Sequence, residues 1–261
     1  FMRKPLVVSL FLVMALFVVA CSTDNTEKKS QAVDVEEKDV YQVGIDTTYP
    51  PFEYEENGEY KGIDIDLINA IAKNQDFDIK LVPMDFKGII PAMQAGQLDV
   101  AIAGMSITDD RKKIVDFSEP YFDAGITLIV NKENETISKI EDLKGETVAV
   151  KKGTTGATYA ESVASEIGFK VVQFDDSPSM FLEVSNGNAA ALIEDYPVIA
   201  YAIAQKDLGL KIVGDRLNGD QYGIAVLKGE NQELLEKINA GLVELKKSGK
   251  YEEIINTYLT E

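Results

Sequence analysis

The sequence predicts an α/β protein with two lobes, each a mainly parallel sheet covered by helices. Three observations predict it. Strand-like and helix-like segments alternate from residue 40 onward, and the alternation restarts near residue 147. The chain that follows residue 38 is also long enough to bury two small cores.

The first lobe is predicted to begin with a βαβαβ order. Apolar spacing indicates strands at 40–45, 77–82 and 98–103, with a helix around 65–72 between the first two and another over 87–95. Gly104 then ends the third strand, and a glycine there allows close backbone approach. Thr108 with two acidic residues behind it is typical of a helix N-terminus.

The second lobe is predicted from the same alternation. Strands are expected at 147–150, 170–174 and 189–193, and helices over 155–167, from 177 and from 196. Ser177 is expected to cap the middle helix because Pro178 suits a first helical position. Two extended runs, 125–130 and 220–226, are expected between the lobes, and amphipathic helices end the chain.

The first 38 residues predict a leader and a tether. Arg3 and Lys4 precede an apolar run that ends in small residues before Cys21, as in a secretory signal. The small residue before the only cysteine resembles the lipobox of bacterial lipoproteins, which implies cleavage there and a lipid on Cys21. An ordinary signal with an incidental cysteine is the alternative. Residues 22–38 are polar, and we expect a flexible tether.

Composition excludes several functions. The chain has 44 acidic and 26 basic residues, a formal net charge of -18, which argues against nucleic-acid and anionic-lipid binding as its main role. It contains no histidine, so Ser-His-Asp catalysis, Cys-His catalysis and His-ligated zinc are excluded. With one cysteine, no disulfide can form within the chain.

The stretch from Ala103 to Arg111 predicts a docking face for an α-amino acid. A strand end exposes backbone groups, Ser106 offers a hydroxyl, and Arg111 offers a guanidinium that fits a carboxylate through two hydrogen bonds. Carbonyls and a hydroxyl beside it can accept from an ammonium group. The alternative is a surface ion pair between Arg111 and Asp109 or Asp116.

Seven segments, taken in order, resemble the polar amino acid-binding proteins of ABC importers, which are the bacterial extracellular solute-binding proteins of family 3. The segments are VGIDTTYPPFE (43–53), GIDIDL (62–67), MDFKGIIPA (84–92), AGMSITDDR (103–111), DFS (116–118), VAVK (148–151) and QYGIA (221–225). Glutamine-binding members are the most similar in these motifs.

The resemblance implies a two-lobed periplasmic-binding-protein-like fold of type II with two crossing strands as its hinge. Lobe 1 would comprise 39–125 and 223–261, and lobe 2 would comprise 126–222. The implied function is extracytoplasmic capture of a polar L-amino acid, most simply glutamine, by a lipid-anchored monomer that needs no cofactor. It would deliver the amino acid to an ABC permease in the cell membrane.

The resemblance also implies a role for each site residue. Arg111 would hold the ligand carboxylate, helped by the backbone at Ser106 and by the turn before Thr155. The Ala103–Gly104 backbone and the Ser106 hydroxyl would receive the ammonium, with Asp195 as counter-charge from the second lobe. The aromatic walls would be Tyr49 and Phe86. The far end of the side chain would meet Asp46 and Lys151, whose acceptor and donor suit an amide.

Two positions depart from the glutamine binders. Glu194 stands where they have histidine, and Thr155 stands where they have glycine. The added carboxylate leaves an arginine or lysine binder as the alternative. A dehydratase for prephenate or arogenate on the same fold, with Glu194 or Asp46 as the acid, is a further one. A receptor ectodomain would need a spanning helix and a signalling module, and we expect an importer component instead.

Overall fold

The computed structural model describes residues 39–259. The predicted signal peptide, the lipidated Cys21 and the tether therefore lie outside the described residues. Along residues 39–259, no helix is both long and apolar enough to cross a membrane.

Fifteen strands and seven α-helices make up the described chain. The strands are β1 (Val40–Ile45), β2 (Thr48–Tyr49), β3 (Glu53–Glu56), β4 (Glu59–Lys61), β5 (Asp78–Pro83), β6 (Val100–Ala101), β7 (Val115–Phe117), β8 (Phe122–Asp123), β9 (Ile126–Asn131), β10 (Thr147–Lys151), β11 (Lys170–Phe174), β12 (Ala191–Asp195), β13 (Leu210–Val213), β14 (Gln221–Tyr222) and β15 (Ala225–Leu227). The helices are α1 (Ile63–Asn74), α2 (Phe86–Gln94), α3 (Thr155–Ile167), α4 (Ser177–Ser185), α5 (Tyr196–Gln205), α6 (Gln232–Ser248) and α7 (Lys250–Tyr258). Short 3-10 helices cover Arg111–Lys113 and Ile140–Leu143.

The first lobe is a five-stranded sheet with the order β5-β1-β6-β15-β7. Strand β1 runs parallel to β5 and β6, and β15 runs antiparallel to β6 and β7. Four strands therefore share one direction. Helices α1, α2 and α6 pack on this sheet, and α7 packs on α1 and α6. The Tyr258 hydroxyl of α7 donates to Asp66 at 2.8 Å and accepts from the Gly62 amide at 3.2 Å.

The second lobe repeats this arrangement in the order β11-β10-β12-β9-β13. Strand β10 runs parallel to β11 and β12, whereas β9 runs antiparallel to β12 and β13. Helices α3, α4 and α5 pack on it. Its strands carry continuous apolar runs, as expected for a sheet covered on both faces. The predicted fold of two helix-covered, mainly parallel sheets is confirmed.

Two short antiparallel strands, β8 and β14, join the lobes. Tyr222 pairs with Phe122, and Gln221 pairs with Asp123. Residues 125–130 and 220–226 were expected between the lobes, but Ile126–Asn131 is a strand of the second sheet and Ala225–Leu227 a strand of the first. The longer apolar runs are buried in the two sheets, and the strands that connect the lobes are β8 and β14.

Two local predictions needed correction, and one small sheet was not predicted. Asp176, not Ser177, caps α4, because its carboxylate accepts from the Ser179 amide at 2.7 Å. Strand β6 pairs over two residues, although the whole run from residue 98 to 103 is buried except Asp99. The three-stranded β2-β3-β4 sheet was not predicted, because its sequence is mostly charged and shows no apolar alternation.

Candidate functional site

Arg111 reaches from the first lobe to the second. Its guanidinium donates to the Ser106 carbonyl at 2.7 Å and to the Gly153 carbonyl, just after β10, at 3.0 Å. The proposed surface partners are otherwise engaged, since Asp109 lies 3.7 Å from Lys112 and Asp116 lies 3.3 Å from Lys228. The surface ion-pair alternative is therefore wrong. Burial lowers the pKa of Arg111 from its ordinary value.

Asp195 lies across the cleft from Gly104 and begins α5 without capping it. Its side chain makes no cap hydrogen bond and instead accepts from the hydroxyls of Tyr49, at 2.7 Å, and Tyr222. Burial raises the pKa of Asp195, while the two hydroxyls and Arg111 act to lower it. The carboxylate thus faces the cleft and can receive a cation.

Lys151 and Asp46 form an ion pair across the cleft. The Lys151 ammonium donates to Oδ2 of Asp46, and both side chains are almost fully buried. Oδ1 of Asp46 is held by the amide and hydroxyl of Thr48 at 3.0 and 2.7 Å. The Lys151 ammonium also lies 4.6 Å from the centre of the Tyr49 ring and 5.8 Å from that of Phe86, within cation–π range.

Glu194 is a third buried carboxyl, and it lies next to the cleft residues Tyr49 and Asp195. Oε2 accepts from the Ser177 hydroxyl at 2.6 Å, and Oε1 accepts from the Asp195 amide at 2.8 Å. The Tyr49 hydroxyl lies 3.1 Å from Oε1. Burial, reinforced by the charge of Asp195 and opposed by Lys151, raises the pKa of Glu194 to about 7.

Position 104 requires a glycine, because its backbone is left-handed and a side chain would meet the Tyr49 ring. Its φ is 50°, and a Cβ atom there would lie 2.7 Å from Cε1 of Tyr49. Its amide donates to Asp64 at 2.8 Å, which fixes the strand end. The glycine therefore lets the Tyr49 ring lie directly against the backbone that the sequence assigned to ammonium binding.

The structure brings eight of the ten predicted residues around one inner cavity. This cavity of about 10 Å³, room for about one water molecule, is lined by Tyr49, Phe86, Gly104, Ser106, Arg111, Lys151, Thr154, Thr155 and Asp195. Asp46 lies behind Lys151 as its partner. Ala103 is not among the lining residues, and its side chain packs in an apolar cluster with Ile89 and Val115; its contact with the ligand through the backbone stays a prediction.

A larger groove lies on the outer side of Arg111. It measures about 510 Å³ and shares Phe86, Arg111 and Thr155 with the inner cavity. Because the inner cavity holds only about one water molecule, an amino acid can enter only if Arg111 and Lys151 change partners or the lobes move apart. The groove offers the route.

Two residues of the site, Tyr222 and Ser177, were missed, and Thr154 was expected only as part of the turn that opens α3. Thr154 lines the cavity and caps α3 by accepting from the Ala157 amide at 3.2 Å. Tyr222 donates to Asp195, and Ser177 holds Glu194. Tyr222 could have been found from its place in the QYGIA motif, since a return strand between lobes must pass the cleft. No sequence signal joins Ser177 to Glu194.

The fold and the cleft define a two-lobed binding protein that takes a small ligand between its lobes. The chain belongs to the bacterial extracellular solute-binding proteins, family 3, whose family model matches residues 41–261. The predicted family is thus confirmed.

Three similar proteins bind amino acids according to their descriptions. An ancestral arginine-binding protein bound to arginine is 47% identical, with a TM-score of 0.80 over 84% of this chain and 98% of its own. An ancestral arginine-binding protein bound to glutamine is also 47% identical, with a TM-score of 0.79 over 85% and 98%. The arginine-binding periplasmic protein of Mannheimia haemolytica is 36% identical over 82% of this chain and 89% of its own.

Proposed function

We propose that this protein captures a polar L-amino acid outside the cytoplasm, with glutamine as first candidate, and delivers it to an ABC permease. The observation that carries the proposal is the pairing of opposite charges across one cavity. Arg111 stands on the first lobe and Asp195 on the second, and both line the same space. Such a pair fits the carboxylate and the ammonium of a zwitterion.

The opposite wall favours an amide side chain. Asp46 already accepts three hydrogen bonds, which leaves about one acceptor position on its carboxylate. Lys151 donates once to Asp46 and retains two N–H groups. One acceptor beside two donors suits a group with both a carbonyl and an N–H. A guanidinium has only donors, so Asp46 and Lys151 together offer it one acceptor and leave the two N–H groups of Lys151 without a partner on the ligand.

Arginine is the second candidate, and Glu194 is the observation that favours it. This buried carboxyl adds an acceptor that the Asp46–Lys151 pair lacks. The similar ancestral arginine-binding proteins are described with arginine and with glutamine, which supports a site that can accept either side chain.

A calorimetric titration of the purified protein with each of the twenty amino acids tests the proposal. We expect tight binding of glutamine, arginine or both. Arg111→Ala should remove binding of every amino acid, because its guanidinium is proposed to hold the carboxylate that all of them share. Absence of binding by the unaltered protein would overturn the proposal.

The ion pair at the far wall is proposed to choose the ligand. Asp46→Ala or Lys151→Ala should change which amino acid binds best, because a buried partner left unpaired penalises the ligand that needed it. Equal loss of all ligands in these variants and in Arg111→Ala would contradict this division of roles.

We also propose that the chain is a monomer held on the outer face of the cell membrane by a lipid on Cys21. The only cysteine follows an apolar run and a small residue, which supports the proposal. Cys21→Ser should release the protein from the membrane fraction and prevent labelling with palmitate. Retention and labelling of that variant would contradict it.

The proposed role is binding without chemical conversion. The dehydratase alternative remains testable because Glu194 is a buried acid in the cleft. Incubation of the purified protein with prephenate or arogenate should leave both unchanged, and turnover that disappears in Glu194→Gln would establish the alternative.

A further inference from the structure

The buried charges of the cleft balance without Glu194. Asp46 pairs with Lys151, and the charges of Arg111 and Asp195 offset one another. A zwitterionic head group adds one charge of each sign. Among Asp46, Lys151, Arg111, Asp195 and Glu194, the ionised carboxylate of Glu194 would therefore be the charge without an opposite partner, and burying such a charge is costly.

The hydrogen bonds around Tyr49 give Glu194 a place for a proton. The Tyr49 hydroxyl lies 2.7 Å from Asp195 and 3.1 Å from Glu194, yet a tyrosine hydroxyl carries a single proton. If Tyr49 donates to Asp195, the contact with Glu194 becomes a hydrogen bond only when Glu194 donates. Its other partners, Ser177 and the Asp195 amide, can donate to an ionised carboxylate as well. The hydrogen-bond geometry is thus compatible with both the protonated and the ionised form of Glu194.

We propose that Glu194 sets the charge class of the amino acid side chain that the cleft accepts. With a proton on Glu194 the site is balanced for a neutral side chain such as that of glutamine. Without the proton, the site carries one extra negative charge and is balanced for a cationic side chain such as that of arginine. This inference rests on the proposed function, because it takes an amino acid as the ligand.

Glu194 titrates near neutral pH, where both of its protonation states can contribute to the selection between a neutral and a cationic side chain. Its pKa is raised to about 7, chiefly by burial, with Asp195 adding to the rise and Lys151 opposing it. The uncharged polar groups facing it are Ser177 and Tyr49, and Tyr222 lies nearby within the same network. Near pH 7 both protonation states are therefore populated in the unliganded protein.

Proton counting on the unaltered protein is the first test. Arginine and glutamine are titrated calorimetrically at pH 7 in two buffers of different ionisation enthalpy, which gives the protons exchanged on binding. Arginine should release about half a proton and glutamine should take up about half, because Glu194 is about half protonated beforehand. As the pH is raised towards 7, the affinity for arginine should increase by up to about tenfold per pH unit, and it should level off above pH 7.

Substitutions provide the second test. Glu194→Gln should weaken arginine binding at pH 8 by at least about tenfold, keep glutamine binding at pH 7 within about threefold, and remove the proton exchange. Ser177→Ala removes a donor to the ionised carboxylate of Glu194 and should raise its pKa, so the pH profiles of arginine and glutamine affinity should both move to higher pH. A purely structural role of Ser177 would not produce that shift. The exposed Glu161→Gln is the matched control and should change neither ratio nor profile.

The outcomes separate the two proposals. If the unaltered protein binds neither arginine nor glutamine, the proposed function is overturned. If it binds one or both with no proton exchange, or if folded Glu194→Gln keeps the arginine-to-glutamine affinity ratio, only the role of Glu194 is overturned. Should Glu194→Gln fail to fold, the proton count of the unaltered protein decides.

Discussion

At the residue scale, Gly104 determines where the Tyr49 ring can lie. Gly104→Ala should cost about 2–4 kcal/mol of unfolding free energy, since the methyl group meets the ring at 2.7 Å and the backbone is left-handed. It should also weaken amino acid binding, because Tyr49 must then leave Asp195.

Gly96→Ala is the matched control for that substitution. Gly96 is also left-handed, at φ 69°, but a Cβ there meets nothing within 4 Å. It should cost about 1 kcal/mol and leave binding unchanged. Urea denaturation and calorimetry measure both quantities, and equal effects of the two substitutions would show that the ring contact is unimportant.

Glu53 makes stability depend on pH. It is fully buried in the first lobe beside Asp64, and burial, with a smaller contribution from Asp64, raises its pKa well above the ordinary value of 4.5. Above pH 4.5 the folded protein keeps this proton while the unfolded chain loses it. The unfolded state then binds fewer protons, so this contribution to stability is complete at low pH and declines as pH rises.

Glu53→Gln should remove that dependence. Relative to the variant, the unaltered protein should lose up to about 1.4 kcal/mol of unfolding free energy per pH unit above pH 4.5. Denaturation at several pH values from 4 to 8 measures it, with the exposed Glu161→Gln as control. A constant difference between the unaltered protein and Glu53→Gln would mean that Glu53 ionises normally in the fold.

Sequence reasoning found the site residues whose chemistry is evident from type and position. Arg111 was predicted from its place after a strand end, whereas Lys151 was predicted only from the family resemblance; both line the inner cavity. Glu194 was noticed only as a departure from the resembling proteins, because an acid is ordinarily exposed and its partner Ser177 lies 17 residues away. Ala103 was included through the resemblance, and its buried side chain packs in an apolar cluster of the first lobe.

At the element scale, two helices begin with the same pattern but use it differently. Both α4 and α5 start with an aspartate two residues before a proline. Asp176 caps α4 through the Ser179 amide, whereas Asp195 turns its carboxylate to two tyrosines. Sequence alone could not separate them, because a capping aspartate and a ligand-binding aspartate satisfy the same local rule.

Substitution of each aspartate should separate the two uses. Asp176→Ala should lower the unfolding free energy by about 1 kcal/mol and leave amino acid affinity within about threefold, because only a helix cap is lost. Asp195→Asn should remove most binding, because a buried carboxylate facing the ammonium becomes neutral. Thermal unfolding and calorimetry of both variants test this, and loss of binding in Asp176→Ala alone would reverse the assignment.

Segments whose neighbours lie close in sequence were predicted best. Helix α3 (Thr155–Ile167) and strand β11 (Lys170–Phe174) have the predicted bounds, because their periodicity and caps are local. Strand β6 was overpredicted because burial of the 98–103 run comes from packing as well as pairing. The extent of pairing depends on β1 and β15, which lie far away in the sequence.

At the scale of the whole molecule, polar contacts hold the lobes together at the outer edge of the cleft. Lys87 of α2 reaches across to Asp175, and Arg111 reaches Gly153. Lys152, which belongs to the second lobe like Asp175, also contacts it, at 2.9 Å. The lysines and Asp175 are partly exposed, so these pairs are individually weak. At this edge the lobes are thus joined by contacts that can be exchanged easily.

A disulfide across this edge should lock the cleft. A Cβ atom on Gly153 would lie 3.4 Å from Cβ of Lys87, close to the disulfide range of about 3.5–4.5 Å. In a Cys21→Ser background, Lys87→Cys with Gly153→Cys should oxidise readily and slow amino acid association by at least about tenfold. Reduction should restore the rate. Unchanged association in the oxidised protein would mean that entry does not require the lobes to part at this edge.

The placement of β15 has a consequence for how the protein is made. The first sheet needs Ala225–Leu227 between β6 and β7, whereas every strand of the second sheet lies within residues 126–213. As the chain leaves the ribosome, the second sheet can be completed first, although it comes later in the sequence. The first sheet lacks its fourth strand, β15, until residues 225–227 have been synthesised. The second sheet can therefore be complete before the first, although the chain of the first sheet is translated earlier.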